Sequence, residues 1–562
     1  MLVALLSHTA ALACGGFFCN NSQPVDQSAE RILFSQDPTT GEVETHVQIF
    51  YTGPSEEFAW VVPVPSVPEV FVSSDTLFEG LADLYEPMFQ LRYDEIDWCE
   101  QDSYGYYSYG GYGGGSGYSG GYYGGGSGYY SQPTVVVVDT KTVGAYETVT
   151  LQAQSSEGLI EWLIDHDFDL PTELEPALAP YVADESYFVA MRLAKDANDG
   201  AVQPIGFRYQ SAGVSVPIQL TSIAAAPDMR LEVYVLGEYR AVPESYLHVQ
   251  INEAAIDWFG GGWNYDDVVT RAANEAGGHA FATDYVGPST LPSAWLYDAS
   301  TYDTAAIAQK ATPVAAVEEV QRQFLPTPFL QSLLETFVPP PAGVDPQDFY
   351  NCVACYTLPP DYEWDGPGLA QALEERIVEP MVRIGELFDE YPTLSRLTSS
   401  LDAAEMTVDP TFVMNREMDQ SLPTLHEATV RMLCGQGGDW DAALRELVLP
   451  DGRVIELPSI DWLAANNMNE FDYMAPLGNQ AALIIEQTSG TEPPVVLADY
   501  TEQETTKLDD LASPDDDSGA ASRTVRGDGC GCSSGVPGGA WLLAFLPVAL
   551  RRRALSRGAD RR

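Results

Sequence analysis

The sequence predicts an α+β fold, strand-rich in its N-terminal half and helical in its C-terminal half. Three observations predict it. Apolar residues alternate with polar ones before residue 300, as at Val47, Ile49 and Tyr51. Helical periodicity dominates later, as in PGLAQALEERIVEPMVRIGELF. Strands and helices are therefore segregated along the chain rather than alternating as βαβ units.

The elements follow in order. THVQIFYTG and the β-branched run at 60–62 read as strands. Residues 76–91 read as a helix. Residues 142–154 read as a strand pair or one long strand. Residues 156–165 read as a helix, because Leu159, Trp162 and Leu163 fall on one face. Residues 301–337 and 367–388 are strongly helical in pattern. One insertion interrupts this order: residues 103–131 are Gly, Tyr or Ser throughout. Such a segment has no apolar periodicity and cannot hold a packed structure, so a mobile surface loop is expected after Cys99. Its ten tyrosines offer stacking surfaces; a tolerated insertion is the plainer reading.

This divides the chain into a signal-peptide remnant at 1–13, a mixed strand and helix domain at 14–300, a mainly helical domain at 301–500, a flexible acidic stalk at 501–529 and a tail at 530–562. A chain of 562 residues has room for two to four domains. Charge narrows the function classes. Lys and Arg number 27 against 82 Asp and Glu, for a net charge of −55. No nucleic-acid partner is expected of so acidic a chain, because phosphate binding needs clustered Lys and Arg. An acidic, lysine-poor surface keeps a protein soluble by self-repulsion.

The two ends read as address labels. Met1 begins an apolar stretch, and Ala11-Leu12-Ala13 before Cys14 fits the small-x-small cleavage pattern, so cleavage is expected between Ala13 and Cys14. The stretch is short and lacks Lys and Arg, so a start further upstream or a truncated signal is expected. At the other end, 536–550 is an apolar run of fifteen residues followed at once by Arg551, Arg552 and Arg553. As a helix it reaches roughly 22 Å, short of the roughly 30 Å hydrocarbon core. Basic residues beyond an apolar segment stay cytoplasmic, which leaves the body outside and the membrane engaged by the tail. Cys530-Gly531-Cys532, a Gly/Ser spacer, the apolar run and the Arg cluster resemble the myxobacterial C-terminal sorting tail (MYXO-CTERM). That resemblance implies export machinery and a sorting protease as partners, cleavage near Cys530 and Cys532, and delivery to the cell surface or outer membrane.

The body carries a second resemblance. CGGFFC, AERILF, HVQIFYTG, FAWVVPVP, TVGAYETVTLQAQ, YFVAMRL, LEVYVLGEYR, AGGHAFATDYVGP and AEMTVDPTFVMN occur in this order. They resemble an uncharacterised bacterial exported family, domain of unknown function number 2330, over about 14–434. The resemblance implies export and a single conserved body. It implies no catalytic residue.

Six cysteines lie in the body: Cys14, Cys19, Cys99, Cys352, Cys355 and Cys434. An even number outside the cytoplasm points to disulfides, with fifteen pairings open. Cys14 with Cys19 is the local bridge favoured here. Cys352 and Cys355 also have redox spacing, and Cys352, Cys355, His426 and Cys434 have zinc-ligand chemistry at a poor spacing. Asp165, Asp167 and Asp169 alternate as in a calcium loop, but an EF-hand needs Gly and Glu where Leu170 and Pro176 stand. A looser calcium site stays open; no other cofactor is expected. His279 follows two glycines and reads as part of a turn. No G-x-S-x-G, H-E-x-x-H or phosphate-loop pattern occurs. The sequence thus points to a surface-anchored binding or structural component of the envelope with an unnamed extracellular ligand. The alternative is an extracellular hydrolase of polymers, since carboxylates are too abundant for a catalytic pair to be singled out.

Overall fold

A computed structural model describes residues 17–18, 26–52, 59–95, 135–144, 146–166, 168, 174–193, 203–291, 293–358, 362–433, 444–468 and 480–505. All of them fall in one compact unit. Strands and helices are mixed, as an α+β fold requires.

The centre is a ten-stranded sheet. In spatial order its strands are Val495–Asp499, Ala482–Gln487, Leu247–Ile251, Ala280–Pro288, Thr393–Leu401, Ala225–Gly237, Asp26–Gln36, Glu42–Thr52, Ile205–Gln210 and Glu69–Val72. Neighbours are antiparallel except Ala225–Gly237 with Asp26–Gln36, and Leu247–Ile251 with Ala280–Pro288. Both sides of residue 300 therefore contribute to one sheet. The expected halving of the chain is corrected accordingly: helices concentrate between Thr304 and Glu390, and strands return from Thr393. The strand Thr393–Leu401 is almost wholly buried between two neighbours, a position that only long-range pairing reveals.

One face of this sheet packs on a five-stranded antiparallel sheet that includes Ala59–Val64, Tyr187–Leu193, Tyr146–Ala153 and Val135–Val143. Ile32, Phe34, Val233 and Val235 meet Trp60, Val62, Val189 and Met191 there. The helices Ser156–Asp165 and Leu174–Ala183 cover the outer side of the five-stranded sheet. The other face of the ten-stranded sheet carries the helices Asp75–Tyr85 and Glu379–Glu390. Beside them the helix Tyr265–Glu275 shares a core with a four-stranded sheet built from Met88–Glu95, Leu425–Leu433, Leu444–Val448 and Val454–Leu457.

Local chemistry explains several boundaries. Ser155 accepts from the Gly158 N–H at 3.1 Å and starts the helix Ser156–Asp165. Two Thr-Pro pairs start the helices Pro313–Gln323 and Pro328–Phe337, with Thr312 and Thr327 as caps. The helix expected over 76–91 ends at Tyr85, because Pro87 cannot continue it. Met88–Glu95 is instead a strand, parallel to Leu425–Leu433. Residues 142–154 hold the end of the strand Val135–Val143 and all of its antiparallel partner Tyr146–Ala153.

Candidate functional site

The strand Ala225–Gly237 sends Leu231, Val233 and Val235 into the inter-sheet core and Arg230, Glu232 and Tyr234 to the helix-covered face. Register places Ser400, Thr398 and Arg396 opposite those three residues. An ionic network results. Glu232 lies 3.1 Å from Arg31 Nε, 2.9 Å from Arg230 Nε and 3.4 Å from Arg396 Nη2. Arg396 Nη1 reaches Asp284 at 3.1 Å and donates to the Tyr85 carbonyl at 3.2 Å. Tyr265 and Thr398 also donate to Asp284. Burial pushes the Glu232 carboxyl up, and the guanidiniums of Arg396, Arg230 and Arg31 outweigh it, leaving Glu232 below its ordinary range. Burial, then the Asp284 carboxylate, push the Tyr265 phenol far up, so it stays a neutral donor.

Arg230 also pairs with Asp266 on the first turn of the helix Tyr265–Glu275. That pair forms part of a cleft of about 770 Å³. Its floor includes Asp228, Thr398 and Ser400; its far wall is Leu447, Ile455 and Leu457 of the four-stranded sheet. Its rim is the FGGGW turn. Asp257 accepts from the Gly260 N–H at 2.8 Å, and Asn264 accepts from the Asp257 N–H at 2.8 Å. Gly261 and Gly262 take left-handed backbone, with φ of 71° and 78°. A Cβ on Gly262 would stand 2.1 Å from the Phe89 ring. The turn buries Trp258, whose Nε1 donates to the Glu253 carbonyl at 2.9 Å, and leaves Trp263 69% exposed. Asp266 and Asp267 lie in the helix's first turn, where its dipole favours negative charge. The cleft thus offers an exposed aromatic face, an apolar wall and hydrogen-bonding groups of both signs.

The residues singled out from the sequence scatter. Cys352 and Cys355 form a disulfide after the helix Pro346–Asn351. Bonded to each other, they present no thiolate. His426 Nδ1 lies 2.7 Å from Glu253 Oε1, and its ring stacks on Phe89. Among the described residues no three His, Cys, Asp or Glu side chains gather as a metal group. His279 lies 3.1 Å from Thr407 Oγ1, in the turn before Ala280–Pro288 and outside the cleft. His166 stacks on Trp162. Ala13, Cys14, Cys19, Cys99, Asp167, Asp169, Cys434, Cys530, Cys532 and Arg551 to Arg553 lie outside the described residues, as do 103–131 and 536–550. Among the described residues no helix is long and apolar enough to cross a membrane. Sequence reasoning missed Arg396 and Arg230; the available signal was a lone Arg inside otherwise uncharged TLSRLTSSL and Arg-Leu-Glu in a strand. It also missed Trp263, flagged by three glycines between two aromatics.

Fold and cleft define an α+β protein with an open cleft over a buried ionic network. The family model described as "Uncharacterized protein conserved in bacteria (DUF2330)" matches residues 8–292, more than half of the chain, and the chain belongs to that family. The match ends well before residue 434, so the block AEMTVDPTFVMN and the cleft residues from Thr398 to Leu457 lie beyond it. No curated protein and no solved structure matches the chain.

Proposed function

We propose that the protein is exported, held at the cell surface through its C-terminal tail, and binds an extracellular glycan in the cleft beside Tyr265–Glu275. The cleft rim carries this reading. Trp263 stands at the mouth with Asn264, Asp266, Asp267 and Arg271 around it. An aromatic face covers the C–H face of a sugar ring, while carboxylate, amide and guanidinium groups meet its hydroxyls. Display rests on the signal remnant and on the tail from Cys530 to the Arg551–Arg553 cluster. Export machinery and a sorting protease are its processing partners in this reading.

Calorimetric titration of the full chain with a panel of bacterial oligosaccharides tests binding. A hit that Trp263→Ala weakens at least tenfold supports the reading. Absence of any hit, or a hit indifferent to Trp263, overturns it. Fractionation of cells carrying Cys530→Ser with Cys532→Ser tests display: loss from the surface supports it, and unchanged surface protein refutes it.

One observation favours a hydrolase as second reading. Asp257 Oδ1 is held by Gly260, while Asp257 Oδ2 is buried at the cleft wall without a hydrogen-bond partner among the described residues. A carboxylate oriented through one oxygen suits proton transfer once a bound ligand reaches the other. Cleavage products that vanish in Asp257→Asn while binding persists would select it.

A further inference from the structure

A second cavity lies away from the cleft, between the ten-stranded and five-stranded sheets. Its volume is about 190 Å³. Glu30 and Asp409 both line it, together with Trp60, Tyr181, Phe207 and Tyr209. Among the described residues no Lys, Arg or His lines it.

Glu30 is the unusual member. It projects from the strand Asp26–Gln36, next to Ile32 and Phe34 on the inter-sheet side, and is only 5% exposed. Among the described residues it accepts one hydrogen bond, from Gln27 Nε2 to Oε2 at 3.2 Å. Among those residues Oε1 accepts none, and no cation of theirs offsets its burial. Desolvation therefore pushes its carboxyl up to about 7. Asp409 is better held, accepting from Tyr181 Oη and the Gln219 N–H, each at 3.0 Å. Buried carboxyls without a base are costly unless something neutralises them. Here the cost falls at a cavity, not within close packing.

The missing complement has a definite chemistry. Two acids and no base reject anions. Five aromatic rings, Phe34 among them, favour a cation with an apolar body, because ring faces attract positive charge. A bare divalent metal would want several oxygen ligands at close range, which an aliphatic and aromatic wall does not supply. Size sets a limit as well: an engineered cavity of about 150 Å³ in another protein holds benzene, so this one has room for a single ring or a short alkyl chain with its head group. We propose that this cavity binds a small organic ammonium ion of aryl or short alkyl body, with its nitrogen at Glu30 and its body against Trp60 and Phe207. The site is independent of the glycan cleft.

Calorimetric titration of the full chain at pH 8 uses three probes of one shape: benzylammonium, benzyl alcohol and benzoate. Saturable binding of benzylammonium is expected, at least tenfold tighter than benzyl alcohol, with benzoate silent. Glu30→Gln should weaken benzylammonium at least tenfold and leave benzyl alcohol unchanged; Asp409→Asn should weaken it less. Trp263→Ala in the cleft should change nothing. Circular dichroism confirms that each variant is folded, and an unfolded Glu30→Gln transfers the test to Asp409→Asn. Equal affinity for the ammonium and the alcohol, no heat at millimolar benzylammonium, or full affinity in a folded Glu30→Gln each overturns the proposal.

Discussion

Arg396 Nη1 lies 3.1 Å from Asp284 Oδ2, and both side chains are shut away from solvent. The pair bridges the neighbouring strands Thr393–Leu401 and Ala280–Pro288 at the place where their register shifts, between Thr283 and Tyr285. That irregularity accompanies the inward carboxylate of Asp284. Arg396 then serves two acids at once, Asp284 and Glu232. Removing it takes from Asp284 the cation it pairs with and leaves Glu232 to Arg31 and Arg230.

Arg396→Ala is therefore expected to cost about 3–5 kcal/mol of unfolding free energy, most of it the penalty of leaving the buried Asp284 carboxylate without its cation. Urea denaturation at pH 7 measures it. Adding Asp284→Asn to Arg396→Ala should restore part of the loss, because the neutral amide no longer needs the cation. Strictly additive costs in the double-mutant cycle would show that the two residues do not act as a pair.

The turn that presents Trp263 gives a sharper contrast. Gly261 and Gly262 share left-handed backbone, but Gly261 faces open space and Gly262 faces the Phe89 ring. Gly261→Ala should cost about 1 kcal/mol, the backbone term alone. Gly262→Ala adds displacement of Phe89, whose ring packs on Trp258 and His426, and should cost more than about 2 kcal/mol. Thermal unfolding of the two variants side by side checks the order. Equal shifts would mean that Phe89 yields freely and the rim is not rigid.

Legibility in the sequence followed how local each signal was. The helix Ser156–Asp165 was readable because its cap and its apolar face lie within twelve residues. The strand Met88–Glu95 was missed although Phe89, Leu91 and Tyr93 alternate, because its parallel partner Leu425–Leu433 is far along the chain. The same distance hid the network: Arg31, Glu232, Asp284 and Arg396 sit on four strands, and each alone reads as an ordinary charged residue. Trp263 was obscured for another reason, since an exposed aromatic and a buried one look alike until the glycine turn is folded.

The Cys352–Cys355 bridge was one of several readings of its spacing. It closes a loop of sequence separation 3, the short end of the range over which cross-links restrict an unfolded chain. Cys352→Ser with Cys355→Ser should thus lower stability by no more than about 2 kcal/mol in the chain-entropy model. Urea curves with and without reductant give the value, and a loss above about 4 kcal/mol would mean that the bridge holds more than its own turn.

Glu30 makes stability depend on pH in a direction opposite to that of a salt-bridged acid. Its carboxyl moves from an ordinary 4.5 in the unfolded chain up to about 7 in the fold. Between those values the folded protein keeps a proton that the unfolded chain has lost, so stability falls as pH rises. The contribution is whole below about pH 4.5 and gone above about pH 7, a loss of about 3 kcal/mol at 1.36 kcal/mol for each unit. Asp75 is pushed up to about 7 as well, by burial and then by the Glu79 carboxylate, and adds a slope of the same sign. The Glu30 share is isolated by difference. Glu30→Gln keeps the shape and the Gln27 contact but cannot titrate. It should match the parent near pH 4.5, where both side chains are neutral, and exceed it by about 3 kcal/mol at pH 8. Urea unfolding at four pH values between 4.5 and 8 measures the divergence. Parallel curves for parent and variant would mean that water reaches Glu30 freely and that its carboxyl ionises in the ordinary range.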